Sequence, residues 1–168
     1  MEKSLDEVEA RNGSASWNAY VTSQRDDGGS FEASLVKASL SRADRRAADL
    51  RGARLHGADL QSANLQEALL ERAGMQGVRL RWANLRRSNL KMADLGGADL
   101  RSVNLWEADL EGADLAGADL RESDLMGANL LGADLSSARF KGAMCNGATV
   151  WPSGFDPATV GVDVSERS

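Results

Sequence analysis

Carboxylates recur along this chain at a fixed spacing. Asp94, Asp99, Asp109, Asp114, Asp119, Asp124 and Asp134 all fall on one five-residue register. Acids in series can gather a hard cation through oxygen ligands, or work in pairs as acid and base. Both chemistries need the acids to converge and to be joined by other groups. The only histidine, His56, has no cysteine or second histidine nearby, so no His/Cys zinc set can form around it. It falls at an outward position and is expected to be solvated. The only cysteine, Cys145, excludes an internal disulfide. It occupies an inward position of the register, which suits a buried thiol; a nucleophile needs exposure and a depressed pKa. The glycines do not form G-x-G-x-x-G before a helix, so no phosphate loop is indicated. The expectation is a protein with no catalytic, cofactor or metal site, whose aspartates are surface groups placed by the backbone.

That backbone must therefore explain the period. Ala108–Leu120 reads ADLEGADLAGADL. Taken every fifth residue from Leu35 to Val150, the chain has 24 central sites, of which 19 are Leu. The others are Arg45, Met75, Phe140, Cys145 and Val150. Two residues earlier, 20 of the 24 are Ala, and one residue earlier, 15 are Asp or Asn. An extended Ala-Asp-Leu triplet puts Ala and Leu on one side and Asp on the other. The two remaining residues make a corner, and ten of the second corner residues are Gly. A type II turn requires φ > 0 there, where Gly is least strained. A chain that keeps turning this way, apolar side inward, closes into a coil, and successive coils bond to one another at about 4.8 Å.

The pattern A-(D/N)-L-x-x resembles that of pentapeptide-repeat proteins, over Phe31 to Trp151, about 70% of the chain. The resemblance implies an all-β fold, a right-handed quadrilateral β-helix with four pentapeptides per coil, hence 24/4 = 6 coils. Residues 1–30 are expected to form a lead-in, with a short helical SWNAYV and a QRDDGGS linker. Residues 31–150 form the solenoid, and residues 151–168 form a C-terminal cap and tail. In WPSGFDPATVGV, Trp151, Phe155, Val160 and Val162 are expected to cover the last coil. Arg45, inward in the first coil, is expected to reach out through the open end or to meet Asp44, Asp49 or the N-terminal segment.

Stacking at twenty residues sorts the outer residues into columns. One face carries the cationic ladder Arg81, Arg101, Arg121 and Lys141 beside Arg79, with Trp82 at its corner and Trp106 around the next corner. Like charges about 4.8 Å apart are expected to repel, partly offset by Asp99 and Asp119. These residues form the candidate partner surface. An alternative acidic face carries Asp94, Asp114 and Asp134 in line. The net charge of −5 and the absence of a long apolar run favour a cytoplasmic protein with no membrane insertion. Direct nucleic-acid binding is not expected of an acidic chain. The function expected is a non-enzymatic, rigid protein-interaction module or scaffold without cofactors, its partner another protein, with a homodimer through the C-terminal end as a further expectation. Some members of the resembled family mimic DNA, bind DNA gyrase or topoisomerase IV and confer quinolone resistance; that is the alternative. Here the acidic stretch is short and a basic belt interrupts it.

Overall fold

Each Ala-Asp-Leu triplet forms a single parallel pairing with the triplet twenty residues on. The computed structural model describes Arg42 and residues 45–165, so the N-terminal lead-in, the linker and the first repeats lie outside the described residues. The pairings run in four columns, one per side of the coil. One column has six rungs, Asp49, Leu69, Asn89, Asp109, Asn129 and Val150. The bonds between coils are regular: Leu50 N–H donates to the Leu69 carbonyl at 2.8 Å, and Leu69 N–H to the Ala48 carbonyl at 2.9 Å. Each corner closes on itself as well, as where Ala53 N–H donates to the Leu50 carbonyl at 3.0 Å. In the interior coils every backbone group of the side thus finds a partner in its own coil or a neighbouring one, which is what lets so narrow an object exclude water.

The second corner residue is left-handed throughout, with φ between 51° and 74° from Arg42 to Gly142. Glycine tolerates this at no cost. Twelve of these corners among the described residues are not glycine, and Trp82, at φ 61°, is the bulkiest side chain held there. The outward Asp or Asn has a structural task. Its Oδ1 accepts the N–H of the residue two positions on, for example Asp114 from Ala116 at 2.9 Å and Asn104 from Trp106 at 3.0 Å. A short side-chain carbonyl bonded two residues on stabilises the start of a turn, which explains why the register demands Asp or Asn.

The interior is filled by two layers of side chains. Every central residue from Leu50 to Leu130 is buried, as is every residue of the alanine position from Ala48 to Ala133. Two of the latter are serines. Ser88 donates its hydroxyl to the Leu85 carbonyl at 2.8 Å, whereas the buried Ser123 hydroxyl has no partner.

The register does not run unbroken to Val150, as the sequence pattern suggests. Asp124 pairs with Met144, twenty residues on, but Asn129 pairs with Val150, twenty-one on. Asn146 is the extra residue. Its side-chain Oδ1 accepts Gly127 N–H at 3.0 Å, the bond that a backbone carbonyl makes in the regular coils. Thr149 then fills the alanine position, with its hydroxyl donating to the Leu125 carbonyl at 2.9 Å. Val150 therefore faces outward and is 44% exposed, and Trp151 takes the inward place expected of Val150.

Aromatic rings close this end. Phe140 meets Trp151 edge-on with centroids 5.9 Å apart, and Trp151 stacks on Phe155 at 5.0 Å. A 3-10 helix, Pro157–Val160, ends on left-handed Gly161. The chain then returns to the rod: β1 (Met144–Cys145) pairs in parallel with β2 (Asp163–Val164). Val162 is buried beneath this return, but Val160, expected to help cover the coil, is exposed.

Candidate protein-interaction surface

With the interior filled, the side chains free to meet another molecule stand on the corners and outer columns. Arg101 and Arg121 each grip the aspartate two residues before them. Arg101 Nε and Nη2 lie 2.7 and 2.6 Å from the two oxygens of Asp99, and Arg121 makes the same fork on Asp119 at 2.8 and 2.6 Å. These hydrogen bonds hold the Asp99 and Asp119 carboxyls below their ordinary values, against the opposing effect of burial. Arg79 reaches back to Asp59 at 2.8 Å, and Arg139 to Asp119 at 3.5 Å. The ladder is thus a row of ion pairs at its centre and not the stack of repelling cations that the column order suggests. Lys141 is exposed at the corner below.

Arg81 behaves differently. Its guanidinium lies 3.9 Å from the Trp82 ring centroid, and its Nε is buried without an acceptor. Around the next corner, Arg86 repeats the arrangement on Trp106 at 4.4 Å, again with a buried and unpartnered Nε. Arg87 also contacts Trp106, at 4.9 Å, and pairs with Glu107 at 2.8 Å. A guanidinium stacked on an indole is held flat and oriented. Between Arg81 and Arg86 lies a column that is uncharged from Asn64 to Asn104 and reaches Asp124 one coil further on; in it the Asn84 side chain donates to Asn64 at 3.1 Å. Trp82 and Trp106 therefore edge one and the same side of the rod, the side next to the ladder. The column order puts Arg86 in line with Trp106, but Arg86 and Arg87 are not among the residues of the candidate partner surface expected from the sequence. The signal for them is the run RWANLRR, Arg81–Arg87, which loads both corners of one side with cations.

The acidic face also forms: Asp94 pairs with Asp114, and Asp114 with Asp134. Asp134 accepts the Ser136 N–H at 2.9 Å, and hydrogen bonding from Ser136 lowers its carboxyl pKa. On the same side, His56 is not the solvated residue expected. Its ring lies on Gly74, where a Cβ would come within 2.7 Å of the imidazole, and its Nδ1 is covered without a partner. Gly74 stands in a position that is Asp or Asn in most repeats. Cys145 is buried and reduced, its thiol pushed up by burial against the opposing Trp151 contact. A recess of about 380 Å³, lined by Arg51, Gly52, Glu71 and Arg72, opens at another corner. Among the described residues no group of His, Cys, Asp or Glu is placed to hold a metal ion, and no helix is long and apolar enough to cross a membrane.

A family model of pentapeptide repeats matches in eight copies between residues 31 and 149. The chain belongs to the pentapeptide repeat family. With its structural neighbours, this membership makes the stacked coils a right-handed quadrilateral β-helix. The crystal structure of Rfr23, a pentapeptide repeat protein from the cyanobacterium Cyanothece 51142, is 40% identical over 55% of this chain and 63% of that one, with a TM-score of 0.55. This pentapeptide repeat chain thus spans less than two thirds of Rfr23. HetL, a pentapeptide repeat protein involved in heterocyst differentiation regulation from Nostoc sp. strain PCC 7120, is 28% identical over 68% of this chain and 70% of that one, with a TM-score of 0.46. QnrB1, a plasmid-mediated fluoroquinolone resistance protein, is 23% identical over 79% of this chain and 65% of that one, with a TM-score of 0.49. No curated protein matches the chain.

Proposed function

We propose that this pentapeptide repeat protein is a non-enzymatic interaction module, a rigid rod on whose outer faces another protein docks. The observation that carries this reading is the contrast between the filled interior and corners that display unpaired guanidiniums and half-exposed indoles. Arg and Trp are enriched among the residues that dominate binding energy at interfaces. A surface bonded coil to coil also loses little conformational freedom on binding. The test is capture by immobilised protein from the native host. A partner retained in stoichiometric amount and displaced by free rod is the expected result. Failure to retain any protein under low-salt conditions would sink the reading.

The in-line Asp94, Asp114 and Asp134 favour a second reading, mimicry of DNA toward gyrase or topoisomerase IV. Purified protein is expected to leave supercoiling unchanged at micromolar concentration. Salt-sensitive inhibition that Asp114→Lys with Asp134→Lys abolishes would move the function to the acidic face.

A further inference from the structure

We infer that the side of the rod bounded by Arg81 and Arg86 is the docking edge, and that it takes an extended acidic segment of the partner protein, with one carboxylate on each guanidinium. The inference rests on the interaction-module reading and names the site and the partner chemistry within it.

The arginines of this region divide into two sets. Arg101 and Arg121 already spend Nε and Nη2 on Asp99 and Asp119. Arg81 and Arg86 have no carboxylate partner among the described residues, and each guanidinium carbon lies over an indole, 3.9 and 4.4 Å from the ring centroid, with Nε covered. The two Nη groups of each are left to act as a fork. A carboxylate can meet that edge end-on with two parallel hydrogen bonds. Stacking fixes the direction of the fork, so little side-chain freedom is lost when the acid arrives.

Trp82 adds an independent observation. It is 54% exposed and held at φ 61°, where a bulky side chain is strained and glycine is not. The left-handed corner is shared with eleven other non-glycine residues among those described, so it is the exposure of the ring that makes Trp82 available for contact. The floor between the two cations is uncharged, with Asn84 and Asn104 engaged in backbone and side-chain bonds. The acids nearest by column, Glu67 and Glu107, both act on Arg87, which lies between them. Within the floor column the nearest acid is Asp124, two coils from Asn84.

Spacing selects the form of the ligand. Arg81 and Arg86 stand on the corners at the two ends of one side, with Trp82 and the three extended residues Ala83, Asn84 and Leu85 between them; the extended part spans roughly 10 Å at about 3.3 Å per residue. A segment in the extended polyproline II form, with three residues per turn, places carboxylates three residues apart on one face at about 9 Å, whereas a β-strand would turn them to opposite faces. A nucleic acid is the less suitable occupant. Phosphate tracking needs a long positive footprint, and here two unpaired cations are followed along the rod by the acidic residues Glu107, Asp109, Glu111 and Asp114.

The experiment uses a fluorescein-labelled peptide of repeated Asp-Ser-Thr triplets, which sets acids three apart, and an equally labelled oligothymidine. Binding to the full chain is followed by anisotropy and by tryptophan emission. The expected result is peptide binding that changes the indole emission and weakens about tenfold or more in Arg81→Gln with Arg86→Gln, the scale of losing the charge-assisted contacts. Arg101→Gln with Arg121→Gln should have a much smaller effect. Circular dichroism confirms that both variants fold. If the first pair does not, single Arg81→Lys and Arg86→Lys, which keep the charge but lose the planar fork, should each weaken the peptide. Equal loss in both pairs, an unaltered indole signal, or tighter binding of oligothymidine than of peptide would overturn the inference. A natural partner still captured by Arg81→Gln with Arg86→Gln would overturn this docking edge and leave the module reading standing. Peptide binding as expected, with no partner captured from the host, would sink the module reading instead.

Discussion

The regular coils and the closing segment use the same chain direction and the same parallel pairing, yet they solve different problems. From Ala48 to Leu130 each side repeats one solution, with mostly alanine and leucine inward, usually Asp or Asn outward and a left-handed corner. Each coil covers its neighbour. The last coil has no neighbour, and its exposed backbone edge would be open to unwanted pairing. Here the five-residue rule gives way. Asn146 is inserted, Trp151 replaces an aliphatic residue, and the tail comes back so that β2 can pair with β1. Periodicity is therefore a property of the stacked interior. Where stacking stops, ring packing and a side-chain carbonyl stand in for it.

The largest expected effect tests that division at Phe140, which is buried and touches both Trp151 and Phe155. Phe140→Ala should cost about 3–5 kcal/mol, the usual range for a large aromatic removed from a core. Urea denaturation checks this. A loss of under about 1 kcal/mol would mean that the rings lie on the end without closing it.

Bulk added to a regular coil should cost less, and only on the inside. Ala118 is fully buried, while Ala116 stands at an outer corner. Ala118→Leu should destabilise by about 1–3 kcal/mol through overpacking, and Ala116→Leu should be close to neutral. Equal shifts in the urea midpoint would contradict the inward and outward assignment.

Much of this division is legible in the sequence. The inward positions, the corner glycines and the outward aspartates each follow from one physical demand that repeats every five residues. The slip at Asn146 is not legible, because Ala148 and Val150 match the types that the unbroken register expects. Only Thr149, an unusual outward residue but a good hydroxyl donor, hints at it. The ion pairs Arg101–Asp99 and Arg121–Asp119 were half legible, since the column order places these residues together but does not say which partner each arginine takes. The stacking of Arg81 and Arg86 depends on rotamers, which no period encodes. The same holds for His56 on Gly74, although a glycine in an aspartate position is a signal that something covers it.

A smaller effect sharpens the comparison within the regular coils. Ser88 and Ser123 occupy equivalent buried alanine positions, but only Ser88 has a hydrogen-bond acceptor. Ser123→Ala removes an unsatisfied buried hydroxyl and should stabilise by about 1 kcal/mol or more, whereas Ser88→Ala loses a bond and should be neutral or mildly destabilising. Thermal melts of the two single variants give the signs. Destabilisation by Ser123→Ala would show that its hydroxyl is satisfied in solution.

The smallest effect is the response to acid, and it too should arise in the regular coils. Asp99 and Asp119 are held below the ordinary carboxylate value, first by the side-chain bonds from Arg101 and Arg121. At Asp59 burial is the largest influence and raises the carboxyl pKa, but the hydrogen bonds it accepts from Gln61 together with the charge and hydrogen bond of Arg79 bring it below the ordinary value. A carboxyl whose pKa is lower folded than unfolded binds fewer protons in the native state. Its contribution is then fully present above the unfolded value, near pH 4, and is lost as pH falls through the lower folded value. Stability should therefore decline from about pH 5 downward. Asp99→Asn with Asp119→Asn should be less stable than the parent at neutral pH and should approach it as pH falls, because the parent loses what the variant already lacks. Urea midpoints measured across this range test the sign. A gap between the two that widens toward low pH would mean that the arginine forks do not hold these carboxylates in solution, and the ladder would then be as open to an acidic partner as the Arg81–Arg86 side.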